Sequence, residues 1–280
     1  MFTKRCSKPK KGGKPISPFD PPLTWLDPNA LSLLRHPVFP RPLELHDGQL
    51  LDPQSGECFP IQRGIPSFLP SLHAPPRTRL WRIFYDRVSL LYDPVLSLGE
   101  RLNLGSESRV RHQAITSLKL PDHARILDLG CGTGTSRPEF PAASTYIGLD
   151  ASMGMLQRAS RKSAALGLPS LWLHADAQAL PLQSAAFDLV FCMGMLQHLS
   201  QPAHALHEML RVCAPSGCVL LLDELASAHS VSRRLQGASV RQAQPDTLVD
   251  AISMSTSSQC QLMPEGNQPS EYYAILMAPT

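Results

Sequence analysis

No apolar run in this sequence approaches the length needed to cross a bilayer, and the N-terminus lacks the apolar core of a secretory signal. Neither a membrane span nor a cleaved leader is expected. Charge is also sparse, at 18% of residues, and sums to only +3. Lys4, Arg5, Lys8, Lys10, Lys11 and Lys14 precede the first acid, and removing these six from the 26 basic residues leaves 20 against 23 acidic. The body therefore carries no basic excess, and without a basic stripe nucleic acid is disfavoured as a partner. Residues 1–22, rich in Lys, Pro and Gly, read as a disordered basic tail. That tail is poor in acids, which leaves organelle targeting open. No Cys-x-x-Cys pair occurs among the seven cysteines, Cys6, Cys58, Cys131, Cys192, Cys213, Cys218 and Cys260. Scattered cysteines in an odd number point to a reduced, cytoplasmic setting, with Cys131, Cys192 and Cys218 acting as small hydrophobes in buried strands.

The most informative stretch present is Arg125-Ile-Leu-Asp-Leu-Gly-Cys-Gly-Thr-Gly-Thr135. Ile126, Leu127 and Leu129 read as a short buried strand, closed by Gly130, Gly132 and Gly134. Glycine at every second position lets the backbone turn tightly and approach a ligand. A helix starting near Thr135 would aim its free N–H groups into the same crevice. A second apolar strand, Thr145 to Leu149, ends at Asp150, whose carboxylate suits the two hydroxyls of a ribose. Together these features indicate a nucleoside cofactor. In the dinucleotide fingerprint the third glycine would fall at position 135, which is threonine, so the spacing argues against a nicotinamide enzyme.

Apolar periodicity organises the remainder. Arg77 to Asp93 has a broad apolar face and is stopped by Pro94; a second helix is expected from Ser106 to Leu118, with Val110, Ile115 and Leu118 inward. Pro138 and Pro141 keep any helix after Gly134 short. Ser152 caps the next helix, which Gly167 ends. Leu171 to Ala175 and Phe187 to Cys192 are strands. Pro202 opens a helix to Cys213, and Pro215-Ser-Gly217 is expected as a turn into a strand from Cys218 to Asp223. Glu224 to Gln244 has no strong period and suits a lid or insertion. Thr247 to Ile252 is a short helix, and Gln259 to Met263 with Tyr272 to Met277 suits an antiparallel hairpin. Alternating strands and helices imply an α/β fold: a Rossmann-like, doubly wound sheet of seven strands with right-handed crossovers.

Asp128-x-Gly130-x-Gly132-x-Gly134 resembles the first motif of class I S-adenosylmethionine (SAM)-dependent methyltransferases. Gly148-Leu-Asp-Ala-Ser-x-x-Met155 resembles their second motif, and Asp176-Ala-Gln-Ala-Leu-Pro their third. Phe84-Tyr-Asp and Leu91-Tyr-Asp are similar to the segment ahead of the first motif in the ubiquinone/menaquinone-type branch. The resemblance implies SAM as cofactor, held by Asp128, Gly130, Gly132, Gly134, Asp150, Ala151, Met155, Asp176, Ala177 and Cys192, with Tyr85 and Tyr92 at the mouth. It implies in-line methyl transfer, with His198, after the fourth strand of the sheet, as the candidate general base. Apolar Met193, Met195 and Leu196 favour a small, partly hydrophobic acceptor. An Asn/Asp-Pro-Pro-aromatic motif and a Pro-Cys nucleophile are both missing, which argues against base methylation. A catalytically weak SAM-fold scaffold or partner subunit is the alternative, and the oligomeric state is open. Phe59 to Leu69 resembles the end of the Trm112-type zinc-ribbon module, but only Cys58 is present there, so a metal-free remnant is expected. The resulting organisation is a tail over 1–22, this module over 23–72, helices over the cofactor site in 73–120, and the SAM-binding domain in 121–280.

Overall fold

The computed structural model describes residues 28–69, 107–199, 201–224, 259–262 and 272–278. The N-terminal segment starts with the short helix α1 (Pro28–Ser32) and continues as a four-stranded antiparallel sheet, β1 (Glu44–His46), β2 (Gln49–Leu51), β3 (Cys58–Gln62) and β4 (Ile65–Pro66). Asp47-Gly48 and Arg63-Gly64 make its two tight hairpins, all four with positive φ, as a type I′ turn requires. Asp52 is fully buried. It accepts from the Gln54 N–H and the Ser55 hydroxyl and pairs with Arg41 at 2.9 Å. His36 Nδ1 likewise accepts from the N–H groups of Val38 and Phe39. Side-chain hydrogen bonds thus fix the turns at 36–39 and 52–55, the second with an ion pair as well. Among the described residues no group of three or more His, Cys, Asp or Glu could hold a metal.

The main sheet has seven strands: β5 (Arg125–Leu129), β6 (Thr145–Asp150), β7 (Leu171–His174), β8 (Phe187–Met193), β9 (Cys213–Glu224), β10 (Gln259–Leu262) and β11 (Tyr272–Ala278). Their order is β10-β11-β9-β8-β5-β6-β7, with β5 to β9 parallel and the final hairpin antiparallel. Strand residues alternate between two faces. Ile126, Tyr146, Trp172, Leu189, Phe191 and Leu220 belong to one apolar core, beneath α2 (Glu107–Ser117) and α3 (Met153–Ala165). Leu127, Leu129, Ile147, Leu173, Val190 and Leu221 belong to the other, beneath α4 (Pro202–Val212). Gly148 makes room for the Trp172 ring, which a Cβ would meet at 2.3 Å.

Leu33, Leu34, Leu50, Phe59 and Phe68 of the N-terminal segment also lie in this second core. The reason is local. No helix stands between β7 and β8, so the sheet face there needs another cover. Leu34 bridges to Leu182, Gln183 N–H donates to the Leu33 carbonyl, and Arg35 N–H donates to that of Pro181. Ser67 then pairs in parallel with His174, continuing the sheet past its edge strand. Fully burying side chains such as Leu34 and Leu50 contributes about 1.5–3 kcal/mol each.

Two sequence expectations change here. No α-helix follows Gly134; only a 3-10 turn, Arg137–Glu139, forms before Pro141. In its place Arg137, 1% exposed, uses its guanidinium to bond Ser170 Oγ and the carbonyls of Phe140, Pro141, Ala142 and Pro169. Its five donors match five acceptors. The strand expected from Cys218 begins at Cys213 instead, running through Pro215-Ser-Gly217 with a register shift opposite Phe187 and Leu189. Gly217 permits the close approach, since a Cβ there would lie 2.6 Å from the Phe187 carbonyl oxygen. The helix read over Arg77–Asp93, the Glu224–Gln244 segment beyond Glu224 itself, and the Thr247–Ile252 helix lie outside the described residues.

Candidate functional site

The carboxyl ends of β5, β6, β7 and β8 form one crevice, the usual ligand position in an open parallel sheet. The register places Leu129 beside both Leu149 and Cys192, so the turns after β5, β6 and β8 emerge together. After β5 the chain folds back, with the N–H groups of Gly130 and Cys131 donating to the Leu149 carbonyl at 2.8 and 3.2 Å. Gly130, Gly132 and Gly134 all have positive φ. A Cβ would strike Met195 at Gly130 and Trp172 at Gly134, each at 2.8 Å, whereas at Gly132 it would meet no protein atom within 4 Å. The glycines on either side thus serve packing, and the backbone at Gly132 faces open space.

Asp150, at the tip of β6, accepts from Gly132 N–H at 3.0 Å and from Ser152 N–H at 2.7 Å. The carboxylate read as a ribose ligand therefore also ties the glycine loop to the following turn. Ser152 caps α3 by accepting from Met155 N–H, and Met155 is buried in the first helical turn. Asp176 accepts at Oδ1 from the backbone N–H of Gln178 and, at both oxygens, from its side-chain amide, which fixes the turn carrying buried Ala177.

Asp128 is 2% exposed and accepts from the Tyr146 hydroxyl at 2.5 Å. Burial pushes its carboxyl up to about 7, with the Asp150 charge adding, while the Tyr146 hydrogen bond and the Arg111 guanidinium pull the other way. Burial likewise pushes the Cys131 thiol well above its usual range, so it is no thiolate nucleophile. A cavity over this loop is lined by Arg111, Asp128, Gly132, Thr133, Thr135, Ser136 and Met193, among others. Arg111 comes from α2 and is held by Glu139 at 2.6 Å.

The structure thus brings Asp128, Gly130, Gly132 and Gly134 together with Asp150 and Ala151, and sets Met155, Asp176 and Ala177 on the adjoining turns. Cys192 lies fully buried inside β8. His198 ends the 3-10 turn Leu196–His198 after β8 and is partly buried. Tyr85 and Tyr92 lie outside the described residues. Sequence reading missed Arg111, Tyr146 and His174. Tyr146 lies on the same sheet face as Asp128, a signal present only once the β5–β6 register is known.

A methyl donor carrying a ribose, an adenine and an amino-acid end fits this set. Two carboxyl groups, a turn with open space at Gly132, and hydroxyls at Thr133, Thr135 and Ser136 are the polar groups that would face it. A family model described as a methyltransferase domain matches residues 127–221. The demethylmenaquinone methyltransferase of Renibacterium salmoninarum is 31% identical over 143 residues, 49% of this chain and 59% of that one. That of Clavibacter sepedonicus is 30% identical over 175 residues, 62% of this chain and 69% of its own length. The chain thus spans roughly three fifths to two thirds of these curated relatives. A SAM-dependent methyltransferase of Thermotoga maritima, described as a possible histamine N-methyltransferase, shares the fold with a TM-score of 0.54 at 18% identity, covering 71% of this chain and 99% of that one. The chain belongs to the class I SAM-dependent methyltransferases of the ubiquinone/menaquinone type.

Proposed function

We propose that this chain transfers the methyl group of SAM to a small, partly hydrophobic acceptor, with a quinol ring as the substrate class. The observation that carries the reading is a juxtaposition. Asp128 and Asp150 stand at neighbouring strand ends around the Gly132 turn, and apolar Met193 lines the same cavity. The named activity of the two demethylmenaquinone relatives supports the acceptor class. SAM, when bound, supplies a methyl already activated on a sulfonium, so the protein provides position, orientation and exclusion of water.

In this reading Asp150 would accept from the ribose hydroxyls, and Asp176, the Ala177 N–H and Met155 would hold the adenine. Asp128 offers a carboxyl to the cationic amino-acid end. Met193, Met195 and Leu196 form the apolar floor for the acceptor. His198 takes up the proton that the acceptor gives off. The test is transfer of labelled methyl from SAM to a demethylated quinol by the full chain. Label in the quinol, with His198→Gln lowering kcat by roughly 100-fold, is the expected result. S-adenosylhomocysteine (SAH) binding without transfer to any quinol would favour a scaffold role and contradict the reading.

A further inference from the structure

One side chain joins the N-terminal segment to the candidate cofactor turn. His174 ends β7 and is buried. Its Nδ1 lies 2.8 Å from the Ser67 hydroxyl, and its Nε2 lies 3.1 Å from the Ala151 carbonyl oxygen. A carbonyl oxygen only accepts, so Nε2 carries a hydrogen, and in the neutral ring Nδ1 accepts from Ser67. The main chain repeats the connection: Phe68 N–H donates to the His174 carbonyl at 2.8 Å, and Ala175 N–H to that of Asp150 at 3.3 Å. Ala151 stands between Asp150, which grips Gly132 and Ser152, and Ser152, which caps α3. A second tie runs from Arg63, in the β3–β4 hairpin, to Gln157 of α3 at 2.8 Å.

We propose that His174 is a positioning residue of the cofactor cleft: through it, Ser67 holds the Asp150–Ser152 turn, and residues 28–69 act as a clamp on the cofactor site. The proposal rests on the SAM reading above. It explains why a segment that covers the far face of the sheet also reaches over its edge to the N-terminal half of α3. The link is directional, which makes it separable from packing. His174→Gln keeps a donor near the Nε2 position and gives up the Ser67 contact; His174→Asn does the reverse.

The experiment is calorimetric titration of the full chain and its variants with SAH, with folding checked by thermal melting. His174→Asn, which gives up the Ala151 carbonyl, and His174→Gln, which gives up Ser67, each break the link, and each should bind about three- to tenfold more weakly, the range of one neutral hydrogen bond. Because Ser67 acts through His174, adding Ser67→Ala to either variant should cause no further loss. Amides of residues 150–155 should exchange faster in both variants than in the parent. If either variant binds SAH as tightly as the parent, or if Ser67→Ala adds a further loss to them, the proposal is overturned. Should His174→Asn not fold, Ser67→Ala decides: a loss of about twofold or more supports the clamp, and unchanged affinity overturns it. A parent chain that does not bind SAH contradicts the SAM reading itself, whereas indifferent variants of a binding parent overturn the clamp alone.

Discussion

Asp128 concentrates the electrostatics of the cleft. It is an acid inside a strand, kept from water and pushed up to about 7, with Tyr146 donating to it. A carboxyl raised in the fold stabilises the fold most below its ordinary value of 3.8, and that stabilisation is lost as pH rises through about 7. Urea unfolding should therefore show stability falling across this window more steeply in the parent than in Asp128→Asn, by at most about 1.4 kcal/mol per pH unit. An identical slope in both proteins would contradict the assignment. Asp128 was legible in the sequence because it precedes the glycine triple. Its donor was not, because Tyr146 and Asp128 are 18 residues apart and meet only across the paired strands. Asp150 was legible as a strand-tip carboxylate, yet not its grip on Gly132 and Ser152. Losing that carboxylate should loosen the loop as well as the ligand.

At the scale of elements, prolines and glycines gave the clearest signals. Ser152 caps α3 and Pro202 opens α4, both readable from the residues alone. Pro138 and Pro141 correctly limited what could follow Gly134, but what replaces a helix there depends on Arg137, a charge that sequence reasoning assigns to the surface. Its guanidinium gathers four carbonyls and one hydroxyl from two loops. Arg137→Met should therefore destabilise the protein by about 3–5 kcal/mol, because it leaves several buried acceptors without a donor. Arg137→Lys, with three donors for five acceptors, should fall between the two. Denaturant titration checks this, and a Met variant as stable as the parent would refute the role. The start of β9 was misread because Pro215-Ser-Gly217 reads as a turn, while the neighbouring backbone of β8 draws the same residues into the sheet.

At the scale of the whole molecule, the alternation of strands and helices specified the parallel sheet and its closing hairpin, since period-two apolar runs and their turn residues are local features. What local patterns did not carry is how the N-terminal segment sits. Its apolar residues complete the core that the missing helix between β7 and β8 leaves uncovered, a long-range relation with no periodic trace. Core, edge strand and cleft are thereby joined by packing and hydrogen bonds around the Gly132 turn and the Asp150 carboxylate. The measurement that tests this account most directly is calorimetric titration of the parent, Asp150→Ala and Asp188→Ala with SAH and with NAD. Asp188 accepts from the Arg125 N–H at the opposite end of β5, so it serves as the remote control. The parent should bind SAH and not NAD, Asp150→Ala should lose roughly 30- to 1000-fold in SAH affinity, and Asp188→Ala should stay within a few-fold. Nicotinamide binding, no SAH binding by the parent, or an Asp150→Ala protein that binds SAH as tightly as the parent would contradict it.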